Sequence, residues 1–202
     1  CNIHGNRLNM DAIERKGSGY VAKRAPDFLF ANDEWFRGLI VSASHDGHMY
    51  VVDWHDTGEC HNYDKTHPSG RIYKVVFGEQ PFAPVDVGVW SDAKLVAALA
   101  EPNEWTARQA ARLLRERHVA GKLEAATLPL VHKLAQHKDS RYALRALCLL
   151  RDWEPLASVA KRLEAIAAAR DAVLRRWEVR LAFADNQKPL DPDSLKRLSG
   201  LI

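Results

Sequence analysis

The sequence is poor in cysteine and methionine and has no long apolar run. Three cysteines and two methionines occur among its 202 residues. An odd number of cysteines at wide spacing is no disulfide framework, although a bridge between Cys1 and Cys60, which lie in the same half of the chain, stays open. No run approaches the roughly 18 apolar residues that cross a bilayer, so no membrane span is predicted.

An excess of charge of one sign is missing as well. Lysine and arginine number 29 against 26 aspartates and glutamates, which leaves a net charge of +3. The arginines are dispersed at helical spacing, so solvated helix faces are favoured over a nucleic-acid surface. Because the chain begins at Cys1 and not at a methionine, we interpret it as an internal piece of a longer protein, and its start tells nothing about export.

Residues 1–78 show the short alternating runs that are typical of β-structure. Three strands are predicted, at Leu39–Val41, His48–Asp53 and Arg71–Phe77. The dipeptide Asp46-Gly47 between the first two is a strong hairpin signal, because glycine accepts the positive φ of a tight turn. A three-stranded meander cannot bury both of its faces, so we interpret it as one blade of a larger β-propeller.

Residues 91–202 have a helical period and a composition dominated by alanine, leucine and arginine. Before them, two prolines within residues 79–90 predict an extended linker. Each of three successive repeats predicts a helix pair, and the series predicts HEAT-like α-solenoid units, with an irregular helical bundle as the alternative. The repeats are marked by arginine pairs at offsets of 33 and 35 residues, namely Arg108/Arg112, Arg141/Arg145 and Arg176/Arg180.

Capping residues predict where the first helices begin. Ser91 or Asp92 can cap a helix through Ala100, and Asn103 can cap the next one. The helices from Asn103 onward are predicted at 104–117, 127–137, 141–151, 155–169 and 172–184. The recurrent arginines are expected to contact helix-terminal carbonyls or acidic groups of the adjacent unit: Arg112, Arg145 and Arg180.

Six short motifs in the first half carry a resemblance to a known family: Asn2–Asp11, Gly17–Tyr20, Pro26–Leu29, Trp35–Gly38, Asp53–Asp56 and Cys60-His61. They resemble the large exported propeller–HEAT–cytochrome c proteins of planctomycete-type bacteria, which are dehydrogenase-like. Their propeller is similar to that of soluble quinoprotein sugar dehydrogenases. The resemblance implies an α+β multidomain chain, with the last blade or blades of a β-propeller over residues 1–78 and HEAT-like repeats over residues 91–202. It also implies export to the periplasm and a c-type haem domain outside this chain.

The same resemblance implies three site residues. In sugar-dehydrogenase-like propellers, an arginine just before the strand that precedes Asp-Gly contacts the carboxylates of the quinone, and its guanidinium fork suits such a contact. Arg37 holds that position, followed by Gly38 where a proline is expected. The alternative is that Arg37 donates to main-chain carbonyls. His4 is the candidate for proton abstraction and Arg7 for cofactor binding, with a hydrogen-bonded inter-blade turn as the alternative.

Acidic and histidine side chains around the second strand raise the question of a metal. Asp53 and Asp56 offer the oxygen ligands that Ca²⁺ prefers, but anchoring of the loop through backbone N–H groups is favoured. Trp54, between them, is expected in the blade core. The five histidines at positions 45, 48, 55, 61 and 67 match no metal-ligand spacing, and Cys60-His61 lacks the upstream cysteine of a haem attachment. No metal site is therefore predicted.

Two hypotheses of function follow from the resemblance and the composition. In the first, an exported dehydrogenase-like protein oxidises a sugar or an alcohol in its propeller, with pyrroloquinoline quinone and Ca²⁺, and passes electrons to its c-type haem domain. In the second, a non-catalytic carbohydrate- or protein-binding propeller is joined to a HEAT scaffold. The helical repeats would offer a surface to the haem domain or to a partner protein, and this chain alone is expected to be inactive.

Overall fold

The computed structural model describes residues 1–16, 19–57, 69–78, 83–154, 156, 158–183 and 190–201. The chain divides into two compact units, residues 1–84 and residues 85–202, which we name the β unit and the helical unit. The described strands all lie in the first and the described helices all in the second. The boundary falls within the segment 79–90 that the sequence predicts as a linker. No helix in the described ranges is both long and apolar enough to span a membrane.

The strands of the β unit form small antiparallel sheets. In chain order they are β1 (Arg7–Leu8), β2 (Asp11–Lys16), β3 (Gly19–Arg24), β4 (Leu29–Phe30), β5 (Gly38–Ala43), β6 (Met49–Asp53) and β7 (Arg71–Val75). β1 pairs with β4, β2 pairs with β3, and β5, β6 and β7 are neighbours in that order. The three strands predicted from the sequence are confirmed, with bounds that differ by a few residues.

The turn between β5 and β6 is the one that the Asp46-Gly47 dipeptide predicts. Gly47 has a φ of 77°, a conformation that glycine adopts without the strain of a Cβ atom. The N–H of Gly47 donates to the carbonyl of Ser44 at 3.0 Å, and the N–H of Ser44 donates to the carbonyl of His48 at 3.1 Å. The Asp46 carboxylate accepts the N–H of His48 at 3.0 Å. These bonds fix the register of the hairpin.

The hairpin of β2 and β3 was not predicted. Its register runs from the pair Asp11–Arg24 to the pair Lys16–Gly19. Every residue of both strands is exposed, so neither strand has the buried face whose alternation identifies a strand in a sequence. Backbone pairing holds the hairpin together, and an ion pair between Lys23 and Glu14, with 2.6 Å between Nζ and Oε2, adds to it.

The buried apolar cluster of the β unit is small. Leu8 from β1, Phe36 before β5 and Val51 from β6 form it, and Leu29, Ala31 and Val75 pack against it half-buried. Many large apolar side chains elsewhere in the unit remain exposed. On the meander and just after it these are Leu39, Ile40, Val41, Ile72, Tyr73, Val76 and Phe77.

Seven helices follow in the described part of the helical unit, after a 3₁₀ turn at Val87–Val89. They are α1 (Asp92–Ala98), α2 (Glu104–Val119), α3 (Thr127–Ala135), α4 (Ser140–Trp153), α5 (Val159–Ala168), α6 (Ala172–Phe183) and α7 (Pro192–Ser199). α1 packs on α2, α3 on α4 and α5 on α6, and each pair contacts the next. The structure thus contains the three predicted helix pairs in series, while their assignment to HEAT-like units stays a prediction.

Side-chain caps explain where these helices begin. The Ser91 hydroxyl accepts the N–H of Lys94 at 3.3 Å, so Ser91 and not Asp92 is the cap of α1. The predicted cap Asn103 is confirmed, because its side-chain oxygen accepts the N–H of Trp105 at 2.9 Å. Ser158 caps α5, which accounts for the later start of that helix than the predicted residue 155.

One apolar core joins the first two helix pairs of the helical unit. Leu95, Leu114 and Leu149 are fully buried members of one cluster to which the first two helix pairs contribute. Arg145 reaches across these pairs and donates to the carbonyls of Leu99 at 2.6 Å and Glu101 at 2.9 Å, as predicted for a recurrent arginine. The same prediction is wrong for Arg112, whose partners are Gln109 and Glu116 of its own helix.

Candidate functional site

The N-terminal residues form a tight hydrogen-bonded turn that contains His4. The side-chain oxygen of Asn2 accepts the N–H of His4 at 3.2 Å and that of Gly5 at 2.7 Å. A Cβ atom at Gly5 would lie 2.8 Å from the Asn2 amide, so a larger residue there would displace the Asn2 side chain from these hydrogen bonds. His4 itself is exposed. These contacts match the alternative interpretation of this segment as a structural turn.

Arg7, predicted to bind a cofactor, lies beside an acidic side chain. Its Nε is 3.3 Å from Oδ2 of Asp27. The same carboxylate accepts a hydrogen bond from the Asn9 amide at 2.8 Å and another from Arg24. Arg7 therefore takes part in an ion-pair network that ties β1 to the segment between β3 and β4.

Arg37, the second predicted cofactor ligand, donates to main-chain carbonyls. Its Nη1 lies 2.6 Å from the carbonyl oxygen of Glu34 and 3.0 Å from that of Phe36. The Asn6 side-chain amide donates to the same two oxygens, at 2.8 and 3.0 Å. The structure thus brings the N-terminal turn and Arg37 to one place. A quinone carboxylate would have to compete with both carbonyls for Nη1, and the role of Arg37 in cofactor binding stays a prediction.

Asp53, at the end of β6, anchors the chain around it. Its side chain is fully buried, with 0% exposed. Oδ1 accepts the N–H of Arg37 at 2.7 Å and that of His55 at 2.9 Å, and Oδ2 accepts two hydrogen bonds from Arg71, at 3.2 and 3.0 Å. The prediction that Asp53 anchors the loop is confirmed. Within the described ranges, no three His, Cys, Asp or Glu residues are grouped so that they could hold a metal ion.

Arg71 connects Asp53 with a second carboxylate that the sequence analysis missed. Its Nη2 donates to Oδ2 of Asp33 at 2.7 Å, while Oδ1 of Asp33 accepts the N–H of Trp35 at 2.9 Å. The hydrogen bond from Arg71, followed by the one from Trp35, lowers the pKa of Asp33 below its usual value. In turn, the hydrogen bond to Asp33 raises the pKa of Arg71. Asp33 is therefore ionised at neutral pH.

His55 lies between this carboxylate and a hydroxyl, and we name Asp33, His55 and Ser69 the His55 cluster. The Nε2 atom of His55 is 3.3 Å from Oδ2 of Asp33, and its Nδ1 atom is 2.5 Å from the Ser69 hydroxyl. The imidazole is 10% exposed and meets the Trp35 ring edge-on, with 5.6 Å between the ring centroids. The cluster has the composition of a nucleophile, a base and a group that orients the base.

Of the three members of this cluster, only His55 stood out in the sequence; Asp33 and Ser69 did not. His55 was noted within the Asp53–Asp56 motif, but its partners lie 22 residues before it and 14 residues after it. Serine and aspartate are common, and no spacing rule joins them to a histidine across two loops. The positive φ of His55, 49°, which is unusual for a residue with a side chain, is not visible in the sequence either.

The other predicted features have mixed outcomes. Trp54 was expected in the core, but 51% of it is exposed, so that prediction is wrong. His45 contacts the Ser44 hydroxyl through Nδ1 at 3.2 Å and the Ala83 carbonyl through Nε2 at 3.2 Å. Cys60, His61 and His67, with the proposed bridge from Cys1, lie outside the described residues.

Each unit also contains a cavity. In the β unit, a largely apolar cavity of about 350 Å³ is lined by Leu8, Phe36 and Val51 among others. In the helical unit, a cleft of about 270 Å³ lies between the second and third helix pairs. In its wall, Arg151 and Glu178 form an ion pair with 2.9 Å between Nη2 and Oε1. Comparison with known proteins adds no assignment, since the chain matches no protein-family model, no curated protein and no solved structure.

Proposed function

We propose that this chain is the supporting part of an exported dehydrogenase-like protein: a propeller blade followed by a helical-repeat scaffold. One observation carries the proposal. The antiparallel meander β5–β7 and the residues just after it leave large apolar side chains uncovered, among them Ile72 in β7 at 71% and Phe77 after β7 at 93% exposed. A blade that is packed between further sheets of the same protein would have such surfaces.

In this proposal the oxidation of a sugar or an alcohol takes place in the complete propeller, and electrons pass to a c-type haem domain outside this chain. Pyrroloquinoline quinone, with Ca²⁺, would supply the two-electron chemistry when bound. In the described contacts, His4 lies in a hydrogen-bonded turn, Arg7 forms an ion pair with Asp27, and Arg37 donates to two main-chain carbonyls. These three residues would therefore shape the N-terminal end of the blade, and a direct role in catalysis or cofactor binding stays a prediction.

A second candidate function has a specific observation in its favour. The Nη1 atom of Arg37 already binds two main-chain oxygens, and Arg7 lies against Asp27. Both arginines therefore have structural partners without any cofactor. This favours a propeller that binds a carbohydrate or a protein without redox chemistry, with the helical unit as its scaffold and as a surface for a partner protein.

A titration of the longer protein that contains this chain separates the two candidates. The purified apo-protein is titrated with pyrroloquinoline quinone and Ca²⁺, followed by absorbance and by dye reduction with a panel of sugars and alcohols. The Arg37→Ala variant is compared with Arg15→Ala, which removes an exposed arginine from β2. Saturable binding with dye reduction supports the dehydrogenase, and a loss in the Arg37 variant alone places Arg37 in its site. Folded protein that neither binds nor reduces dye supports the binding module.

A further inference from the structure

The geometry of the His55 cluster points to a nucleophilic serine, and we propose that Ser69, activated by His55, attacks carboxylic esters. This inference is independent of the dehydrogenase proposal. It begins from the order of the three groups: the carboxylate of Asp33, the imidazole of His55 and the hydroxyl of Ser69. The Nδ1 atom of His55 is 2.5 Å from the Ser69 hydroxyl oxygen, and its Nε2 atom is 3.3 Å from Oδ2 of Asp33, so each neighbour is near enough to exchange a hydrogen bond with the imidazole.

The carboxylate determines which nitrogen of His55 carries the proton. With Nε2–H directed at Oδ2 of Asp33, Nδ1 keeps its lone pair and can accept the Ser69 proton. In the better-known arrangement the two ring nitrogens have the opposite roles, but the logic of nucleophile, base and orienting acid is the same. Arg71 holds Asp33 in place at 2.7 Å and is itself held by the buried Asp53. Arg71 and Asp53 are therefore positioning residues.

The backbone of His55 has an unfavourable conformation that contacts with neighbouring residues must hold. Its φ of 49° lies in the left-handed region, where a side-chain residue is strained unless neighbouring contacts hold it. The hydrogen bond from its own N–H to Asp53 is one such contact. Strained residues of this kind are concentrated at functional sites, and here the strained residue is the one that joins the acid and the nucleophile.

The chain contains a second serine–histidine pair, which serves as an internal control. The Ser44 hydroxyl lies 3.2 Å from Nδ1 of His45, and Nε2 of His45 lies 3.2 Å from the carbonyl oxygen of Ala83. A neutral carbonyl stabilises an imidazolium less than a carboxylate does. We therefore expect Ser69, and not Ser44, to be reactive.

The reaction balances within the site. The Ser69 oxygen forms a bond to the ester carbonyl carbon while its proton moves to Nδ1 of His55. The bond from that carbon to the alkoxy oxygen then breaks, and the same proton passes to the departing alcohol. Water attacks the acyl-serine by the same route, gives its proton to His55 and releases the carboxylic acid, after which the proton returns to Ser69. No oxidant, reductant or metal is consumed.

The test uses the whole 202-residue chain, a fluorophosphonate probe and mass spectrometry of each serine. The probe forms a bond from phosphorus to the serine oxygen and releases fluoride, so it reports nucleophilicity without a natural substrate. We expect Ser69 to be labelled at least about 100-fold faster than Ser44, the lower end of what a general base contributes. Hydrolysis of p-nitrophenyl acetate should fall by a similar factor in Ser69→Ala and stay unchanged in Ser44→Ala.

The wild-type chain alone can overturn the proposal. The protein is first checked by circular dichroism for the helices and strands of the folded chain. If Ser69 is then labelled no faster than Ser44, the proposal is wrong. His55→Gln and Asp33→Asn provide the second test, each checked for folding by circular dichroism. Both should reduce labelling of Ser69 and leave Ser44 unchanged. Rapid labelling of Ser69 that persists in folded His55→Gln would show that His55 is not its base, and would also overturn the proposal.

Discussion

The two units of this chain bury their apolar residues to different extents. The buried apolar cluster of the β unit consists of Leu8, Phe36 and Val51, and its meander leaves most of the side chains of β5 exposed. In the helical unit, a single cluster extends through the first two helix pairs and includes the fully buried Leu95 and Leu149. The first unit has far less internal burial to hold it together than the second.

The difference follows from how each kind of element satisfies its backbone. A helix forms its hydrogen bonds internally and has one apolar stripe, which a neighbouring helix covers. A strand forms its bonds sideways and presents two faces, so a small sheet needs another layer on each apolar face. Helix pairs next to each other in the chain can therefore form a core locally, whereas three strands cannot.

In the β unit, hydrogen bonds to charged groups provide part of the stabilisation that an apolar core provides in the helical unit. Asp53 alone fixes Arg37, His55 and Arg71. Hydrogen bonds to a charged group contribute about 1.5–3 kcal/mol each, more than neutral ones. The positions of Arg37, His55 and Arg71 therefore depend on one buried carboxylate, and this is where the candidate site lies.

Producing the two units as separate proteins should show the largest difference between them. We expect residues 85–202 to give the circular dichroism of a helical protein and a cooperative thermal transition. Residues 1–84 alone should lack such a transition and should associate, because open strand edges and apolar faces remain uncovered. A mostly coil spectrum for residues 85–202, or a cooperative monomer from residues 1–84, would show that burial does not account for the difference.

The same substitution in each core compares the two units directly. Leu149→Ala should lower the free energy of unfolding by about 3 kcal/mol, because Leu149 is fully buried in a continuous core. Leu8→Ala should cost the β unit about half as much, because the few residues around it can relax into the space. Hydrogen exchange of the amides in each unit, with exposed Leu195→Ala as control, measures both changes. Equal losses would contradict the difference in packing.

Removing the charge of a buried carboxylate in the helical unit should have the next largest effect on stability. Asp92, 1% exposed, accepts hydrogen bonds from Arg117 at 2.6 Å, from the N–H of Glu124 at 2.7 Å and from the Thr127 hydroxyl at 2.8 Å. Asp92→Asn should cost about 2 kcal/mol in urea unfolding at pH 7. Exposed Asp193→Asn, in the first turn of α7, should cost only about 0.3 kcal/mol.

The contribution of Asp92 to the free energy of unfolding should decrease as the pH falls. Burial raises the pKa of Asp92, but the hydrogen bonds from Arg117, Glu124 and Thr127 outweigh burial, so its pKa in the folded protein is lowered. Its contribution to stability is complete above the unfolded pKa, about 3.9, and is lost as the pH falls through the lower folded value. Stability of Asp92→Asn should therefore fall less steeply with acid than that of the wild type, and parallel curves would contradict this.

Removing a helix cap should have the smallest effect. Asn103→Ala leaves the N–H groups of Trp105 and Thr106 without their side-chain acceptor and should cost about 1 kcal/mol. Asn103→Ser should restore most of the loss, since serine is also a good cap. Thermal unfolding followed at 222 nm measures both variants. Equal stability of Asn103→Ala and the wild type would show that the cap does not contribute.

Several features could be predicted because their causes are local. The turn at Gly47 and the cap at Asn103 depend on residues within three or four positions, so the sequence is sufficient for them, while it left Ser91 and Asp92 as alternatives for the cap of α1. The hairpin of β2 and β3 was missed because it has no buried face to produce a pattern. The roles of Arg112 and Arg145 could not be separated, since both occupy the same repeat position but only Arg145 reaches carbonyls of the preceding helix pair.

The amino-acid sequence by itself determined the three strands of the meander, the three helix pairs and the starts of several helices, since each arises from neighbours along the chain. Only the tertiary structure decided that Asp33, His55 and Ser69 meet, and that Arg71 lies between two carboxylates. The physical reason is that these contacts join residues far apart in the chain. Asp33 follows β4, His55 follows β6 and Ser69 precedes β7, and hydrogen bonds to the buried Asp53 hold Arg37, His55 and Arg71 in place around them.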